Sequence, residues 1–239
     1  MGIQPFVSII IPVKNGERFL TSAIKSVLSQ DYGHYEMIIV DGNSTDNTKK
    51  VSQSFSQVRY LLQQDEGFGN ALNAGISIAR GELIAFISCD DIWLPHKLRF
   101  QVAYFIQHPE VQYTITRVKF FLEEGDVIPP GFRKELLLED QAGYLPETLV
   151  VRKSLFDQIG RFSPDLRISA DVDWFARAKD LNIPMALIPE VLVYKRVHSK
   201  NFTLDVSQVR VINHELLTAL KHSIARQKKV GYSWKKADE

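Results

Sequence analysis

The chain carries one cysteine, Cys89, in 239 residues. No intramolecular disulfide can staple it, and a reducing compartment is expected. Long apolar runs are missing as well. No stretch approaches the roughly 20 residues that span a bilayer. The opening MGIQPFVSIIIP has neither the basic start nor the apolar length of a signal peptide. It reads as a buried strand, and a cytoplasmic protein is expected. Charge of one sign is lacking: 29 basic against 28 acidic residues leave +1, which argues against a nucleic-acid binder built on a broad basic surface. There is no GxxxxGK[ST] and no GxGxxG, so a glycine-rich helix start is excluded as a phosphate cradle. Internal repeats, low-complexity tracts and linkers are absent too.

What remains is the balance of a soluble globular domain, with 45% hydrophobic and 24% charged residues. Charge is unevenly spread. From Val206 onward seven basic residues face three acidic ones, a local +4; the rest, with 22 basic and 25 acidic residues, carries −3. A basic end on a mildly acidic body fits either an anionic partner, such as a membrane surface, or a solvated helix end.

Strand and helix signals alternate through the first half. Phe6 to Ile11, Tyr35 to Val40, Val58 to Leu62 and Leu83 to Ile87 are short apolar runs, as expected of strands buried on both faces. Between them, Phe19, Leu20, Ala23, Ile24, Val27 and Leu28 repeat at helical spacing, Gly69 to Ala79 is a small-residue helix, and Pro95 opens a helix to about Gln107. This order predicts βαβ units in an open, doubly wound, mainly parallel sheet. The second half is mixed: Tyr113 to Leu122 and Tyr144 to Arg152 read as strands, and EEGDVIPPGFRKE as a loop between them. Ala170 to Leu181 reads as a helix and Met185 to Val197 as extended chain. A terminal amphipathic helix carries Val209, Ile212, Leu216, Leu220 and Ile224 in one stripe.

Ligands of such sheets bind beyond the carboxyl ends of the strands, and there the polar residues gather: Pro12 to Asn15, Asp41 to Asp46, Gln64 to Gly67, and Ser88 to Asp91. Asp41 follows its strand directly and can accept from a base or ribose. Asp46 fits a helix cap equally well, and Asp65-Glu66-Gly67 fits a simple turn. Asp90 and Asp91 repel one another unless a cation or ligand lies between them. Carboxylates suit Mg²⁺ or Mn²⁺, which hold a diphosphate with one or two of them. Asp171 and Asp173 fit helix-dipole partners as well as chemistry, and His198 alone fits an ordinary histidine.

VSIIIPVKNGERFLTSAIKSVLSQDYGHYEMIIVDGNSTDNT, DEGFGNALNAGISIARGELIAFISCDDIW, ETLVVRKSLFDQIGRFSPDLRISADVDWFARA and VLVYKRVHSKNFT, in this order, resemble a family-2 glycosyltransferase. The likeness runs from Val7 to about Thr203, with a variable stretch from Ile115 to Asp140. It implies a GT-A fold that moves a sugar from a nucleotide diphosphosugar to an acceptor hydroxyl, with inversion, in polysaccharide or glycoconjugate assembly. By resemblance, Pro12, Val13, Lys14, Asn15, Asp41, Asp65, Gly67, Asn70, Ser88, Cys89 and Asp90 bind the nucleotide-sugar. Asp90 matches the last acid of the DxD motif and, with His198, holds Mn²⁺ or Mg²⁺; Asp171 matches the catalytic base. Ser88, Lys14 and Gly42 depart from the family pattern and put donor identity in doubt. They motivate an alternative, a non-catalytic nucleotide-sugar-binding subunit, which would have no need of Asp171. A phosphotransfer domain is a further rival, which the SADVDW and RVHSKN motifs oppose.

The expected organisation is a glycosyltransferase domain over 1–205, with a nucleotide-binding half (1–110) and an acceptor and catalytic half (111–205), then a basic helix and tail over 206–239. Trp234 among Lys228, Lys229, Lys235 and Lys236 suggests peripheral contact with the inner membrane face, where a saccharide or lipid-linked saccharide acceptor would lie.

Overall fold

The computed structural model describes residues 4–201 and 209–229; Trp234, Lys235 and Lys236 lie outside them. Strands β1 (Val7–Val13), β2 (Tyr35–Asp41), β3 (Val58–Leu62) and β4 (Leu83–Phe86) alternate with helices α1 (Leu20–Leu28), α2 (Thr48–Gln53) and α3 (Phe68–Ile78). Then come β5 (Ile92–Trp93), α4 (Lys97–Gln107), β6 (Tyr113–Phe121), β7 (Gln141–Ala142), β8 (Val150–Arg152), α5 (Leu155–Ile159), α6 (Ala170–Asp180), β9 (Met185–Arg196) and α7 (Val209–Lys229). The sheet runs β3-β2-β1-β4-β8-β6-β9-β5, with β7 on β6. β3, β2, β1 and β4 are parallel, as are β6 and β9. β8 joins the two groups by running antiparallel to β4 and β6.

β1 shows why the first half folds this way. All seven of its residues are buried. Ile9 and Ile11 join the core under α1 and α4, while Ile10 packs under α3 on the other face. Each such side chain stabilises the fold by about 1.5–3 kcal/mol, so an apolar run without alternation is what a two-sided sheet requires. The amphipathic pattern of α1 is met by burial of Leu20, Ala23, Ile24 and Val27. β2 and β4 flank β1 on opposite sides, so the order reverses there and a crevice opens at its carboxyl end.

Two expectations change. Tyr144 to Arg152 is not one strand: a short 3-10 turn over Pro146–Thr148 precedes β8 and places a buried Glu147 in the run. The α7 stripe does not enter the core either. Leu216, Leu217, Leu220 and Ile224 are 39–57% exposed, while Glu215 and Ala219 are buried. On the inward side Asp180 of α6 accepts from Ser223, Arg226 and Gln227 of α7. Polar groups therefore dock the helix on α6.

Gly81 brings the approach to β4 against β1. A Cβ there would stand 2.4 Å from the Ser8 backbone nitrogen and 2.7 Å from the Phe6 carbonyl oxygen. Backbone cannot give way as a side chain can, so Gly81→Ala should cost about 1–3 kcal/mol. Urea unfolding with an unchanged m-value checks it; an unchanged midpoint would refute it.

Candidate functional site

A cavity of about 670 Å³ lies beyond the carboxyl ends of β1, β2 and β4, within the size range of ligand sites. One wall is the segment between β6 and β7, through Phe132, Arg133 and Leu136; the rest includes the start of α6 and the end of β9. Six basic residues line it, Lys14, Arg133, Arg167, Lys195, Arg196 and Lys200, against the acids Glu66, Asp90, Glu147 and Asp171; of the six, Arg196 is buried and paired with Glu123. Basic residues outnumber acidic ones in the lining, in a chain of formal charge +1, which suits an anionic ligand.

Pro12, Val13, Lys14 and Gly67 line the cavity as expected, joined by Gly42, Asn43 and Gln63. Four other expected binders hold the loops behind it. Asn15, in the left-handed region at φ 53°, accepts the Thr45 amide at 2.8 Å. Asp41 is 1% exposed; its carboxylate accepts from the Ser44 amide at 2.9 Å and the Tyr60 hydroxyl at 2.7 Å. A buried acid must find donors nearby, and here neighbouring loops supply them before any ligand does. Asn70 donates to the Glu66 carbonyl, and the Asp65 carbonyl accepts from Gln63. Asp46 accepts the amide of Thr48, the first residue of α2, so its helix-end role is the one observed.

Ser88, Cys89 and Asp90 line the cavity at the end of β4. Asp91 is fully buried; its carboxylate accepts from Lys195 Nζ at 2.9 Å and the Arg196 amide at 2.8 Å. The pairing of β5 with β9 makes this contact by setting Ile92 opposite Tyr194. Glu147, 4% exposed, accepts from Ser88 Oγ at 2.5 Å and Lys195 Nζ at 3.1 Å through Oε1. Burial, then Asp90 and Glu147, push the Asp91 carboxyl up, against the pull of Lys195. Burial also raises the Cys89 thiol well above its ordinary value, so it is a wall rather than a nucleophile.

Asp90 Oδ2 accepts from His198 Nε2 at 3.0 Å and Asn201 Nδ2 at 3.2 Å. Burial opposes its charge, but the His198 hydrogen bond and Lys195 overcome this, and Asp90 titrates below the usual carboxylate range. His198 Nδ1 accepts the Lys200 amide at 3.1 Å, which leaves the proton on Nε2, facing Asp90. In this arrangement His198 orients Asp90, and the imidazole stands beside the carboxylate with which it is expected to share a metal. Among the described residues no three His, Cys, Asp or Glu side chains gather as a metal cage. One ionised carboxylate at an anion-binding cavity still fits a magnesium-type ion, which keeps waters and substrate phosphates as its other ligands.

Asp171 stands in the first turn of α6 and faces the same cavity. Burial, then the charge of Glu147, raise its carboxyl to about 6, against amide hydrogen bonds from Val172 and its own backbone and the pull of Lys195. Asp173 instead pairs with Arg177 at 2.8 Å, away from the cavity. The loop into α6 is held from α7: the buried Glu215 carboxylate accepts the amides of Arg167, Ile168 and Ser169 at 2.8, 2.9 and 2.8 Å.

A family model described as "Glycosyl transferase family 2" matches residues 8–161. The chain belongs to glycosyltransferase family 2. Its structure is that family's GT-A fold. A mannosyltransferase from Pyrobaculum calidifontis, solved with GDP-Man and Mn²⁺, superposes with a TM-score of 0.70 at 17% identity, over 93% of this chain and 65% of that one. An uncharacterised glycosyltransferase of Rickettsia felis is 29% identical over 243 residues, 95% of this chain and 40% of that protein. Escherichia coli WfgD, named as a UDP-Glc:alpha-D-GlcNAc-diphosphoundecaprenol beta-1,3-glucosyltransferase, is 37% identical over 105 residues, 43% of this chain and 42% of that one. The family-2 chain spans 39–66% of the length of the curated relatives that it matches over most of its own.

Three residues of this family-2 site are given no role by the sequence: Glu147 and Lys195, which lie inside stretches that carry the resemblance, and Glu215 of the terminal helix. Glu215→Ala leaves three consecutive amides without an acceptor. At about 1–3 kcal/mol for each buried unsatisfied group, the loop before Asp171 should loosen. Faster hydrogen exchange at Arg167 to Ser169 is expected; unchanged protection there would refute it.

Proposed function

We propose that this chain transfers a sugar from a nucleoside-diphosphate sugar to an acceptor hydroxyl with inversion at the anomeric carbon. The observation that carries the reading is one cavity, lined by more basic than acidic residues, that holds Asp171, a carboxyl raised to about 6, together with the ionised Asp90. Asp171 takes the acceptor's proton as the acceptor oxygen bonds to the anomeric carbon. The bond from that carbon to the phosphate oxygen breaks, and its electron pair leaves on the nucleoside diphosphate. A single displacement with one base gives inversion. Mn²⁺ or Mg²⁺, held through Asp90 and the donor's phosphates, would neutralise charge on the leaving group. The Mn²⁺ in the Pyrobaculum neighbour supports this. WfgD's name carries UDP and the Pyrobaculum complex GDP, so the base is left open.

Asp171→Asn should lower kcat by about 10²–10⁴-fold while a nucleoside diphosphate with Mn²⁺ still raises the melting temperature. A base must be ionised, so kcat/KM of the unaltered chain should fall as pH drops below about 6. A variant at full rate, or no acid limb, would remove Asp171 from the reaction.

The acceptor is read as a saccharide or lipid-linked saccharide of polysaccharide assembly, met at a membrane surface by α7. Leu216, Leu217, Leu220 and Ile224 are exposed together. Arg210, Lys221 and Lys228 lie exposed on the same helix, whose one acid within its described span, Glu215, points inward. An apolar strip beside cations suits an anionic lipid interface. The chain should sediment with anionic vesicles at low salt, and Leu217→Glu/Leu220→Glu should release it. Failure of the unaltered chain to sediment would end this reading.

A further inference from the structure

Lys195 lies in the VLVYKRVHSKNFT stretch but has been given no role so far. It sits at the end of β9 with its side chain 22% exposed, and lines the cavity beside Ser88 and Asp90. Asp91 Oδ2 and Glu147 Oε1 accept two of its three N–H bonds, at 2.9 and 3.1 Å. The hydroxyl of Ser88 meets the same Glu147 oxygen at 2.5 Å. The position where the family resemblance expects a first metal-binding acid is thus wired to a fixed ammonium. Burial works against that ammonium, but the charges of Asp91, Glu147 and Asp90 outweigh it and hold it protonated at any working pH. Lys195 also acts on Asp90 and Asp171 through its charge, so it stands within electrostatic reach of both.

We propose that Lys195 is a built-in cation for the donor's diphosphate: its remaining N–H bond is given to a phosphate oxygen, with Asp91 and Glu147 as the positioning residues that aim it. This rests on the nucleotide-sugar reading of the cavity. A hydrogen bond from a fixed ammonium to a phosphate is charge-assisted, and a cation already in place needs no reorganisation as charge grows on the leaving group. The chain therefore keeps part of its grip on a diphosphate without any metal ion.

The test is calorimetry in EDTA with uridine, guanosine and their diphosphates, on the unaltered chain and on Lys195→Met and Lys195→Arg. Lys195→Met should weaken the diphosphate about 10- to 100-fold, the value of one hydrogen bond to a charged group. Affinity for the nucleoside should stay within about twofold, and Lys195→Arg should recover most of the loss. If Lys195→Met fails to fold because two acids lose their partner, Lys195→Met/Glu147→Met removes one of them, and the same selective loss is expected. Equal affinity in Lys195→Met, or an equal loss for nucleoside and diphosphate, would overturn the proposal. So would an unaltered chain that binds the diphosphates only with Mn²⁺, an outcome that leaves the donor site itself intact. A chain that binds none of them with or without Mn²⁺ would instead overturn the reading of the cavity, and the proposal with it.

Discussion

Lys195 enters the cavity with its ammonium between Asp91 and Glu147, and this contact joins three segments that are distant in sequence. β5 and the 3-10 turn before β8 are only two and three residues long, and the end of β9 holds both through Lys195. A buried ion pair is poor evidence of net stability, yet removing one partner costs about 3–5 kcal/mol. The arrangement is therefore exacting rather than strong: any packing that parts these charges leaves an acid or an ammonium buried without a counter-ion. Asp90 inherits its place from this constraint, because it precedes Asp91 directly and can turn only toward the cavity, His198 and Asn201.

The same economy of charge appears at α6. The loop that leads into it has three consecutive buried or half-buried amides that need an acceptor, and Glu215 supplies it from α7. The terminal helix thereby contributes to the loop that carries Asp171 while its leucines face outward. A helix held inward by polar bonds and outward-facing in its apolar residues reverses the usual pattern. That reversal separates α7 from the helices that flank the sheet.

Much of the first half was legible in order and type. Strands buried on both faces read as near-continuous apolar runs, and Val7 to Ile11, Met37 to Val40 and Leu83 to Ile87 supply them. The strand-end rule then brought Pro12, Val13, Lys14, Ser88, Cys89 and Asp90 to one cavity. At Asn15 and Asp41 the observed partners are neighbouring loops, because a polar residue at a strand end meets the next loop as readily as a ligand. The mixed half was less legible. The turn at Pro146–Thr148 sits in an apolar run, and a run alone does not distinguish a strand from a buried turn.

Sequence by itself determined the alternation of strands and helices, the edge at which polar groups collect and the motifs that mark glycosyltransferase family 2. These depend on local periodicity and on neighbours a few residues apart, which a chain carries wherever it is placed. Tertiary structure alone decided that Glu147, Lys195 and Glu215 serve the site, that Asp41 faces Tyr60, and that His198 offers Asp90 a proton. Those roles are contacts between residues 19 to 108 positions apart. The energy of a charge depends on what else is buried beside it, and that is settled only when the sheet has closed.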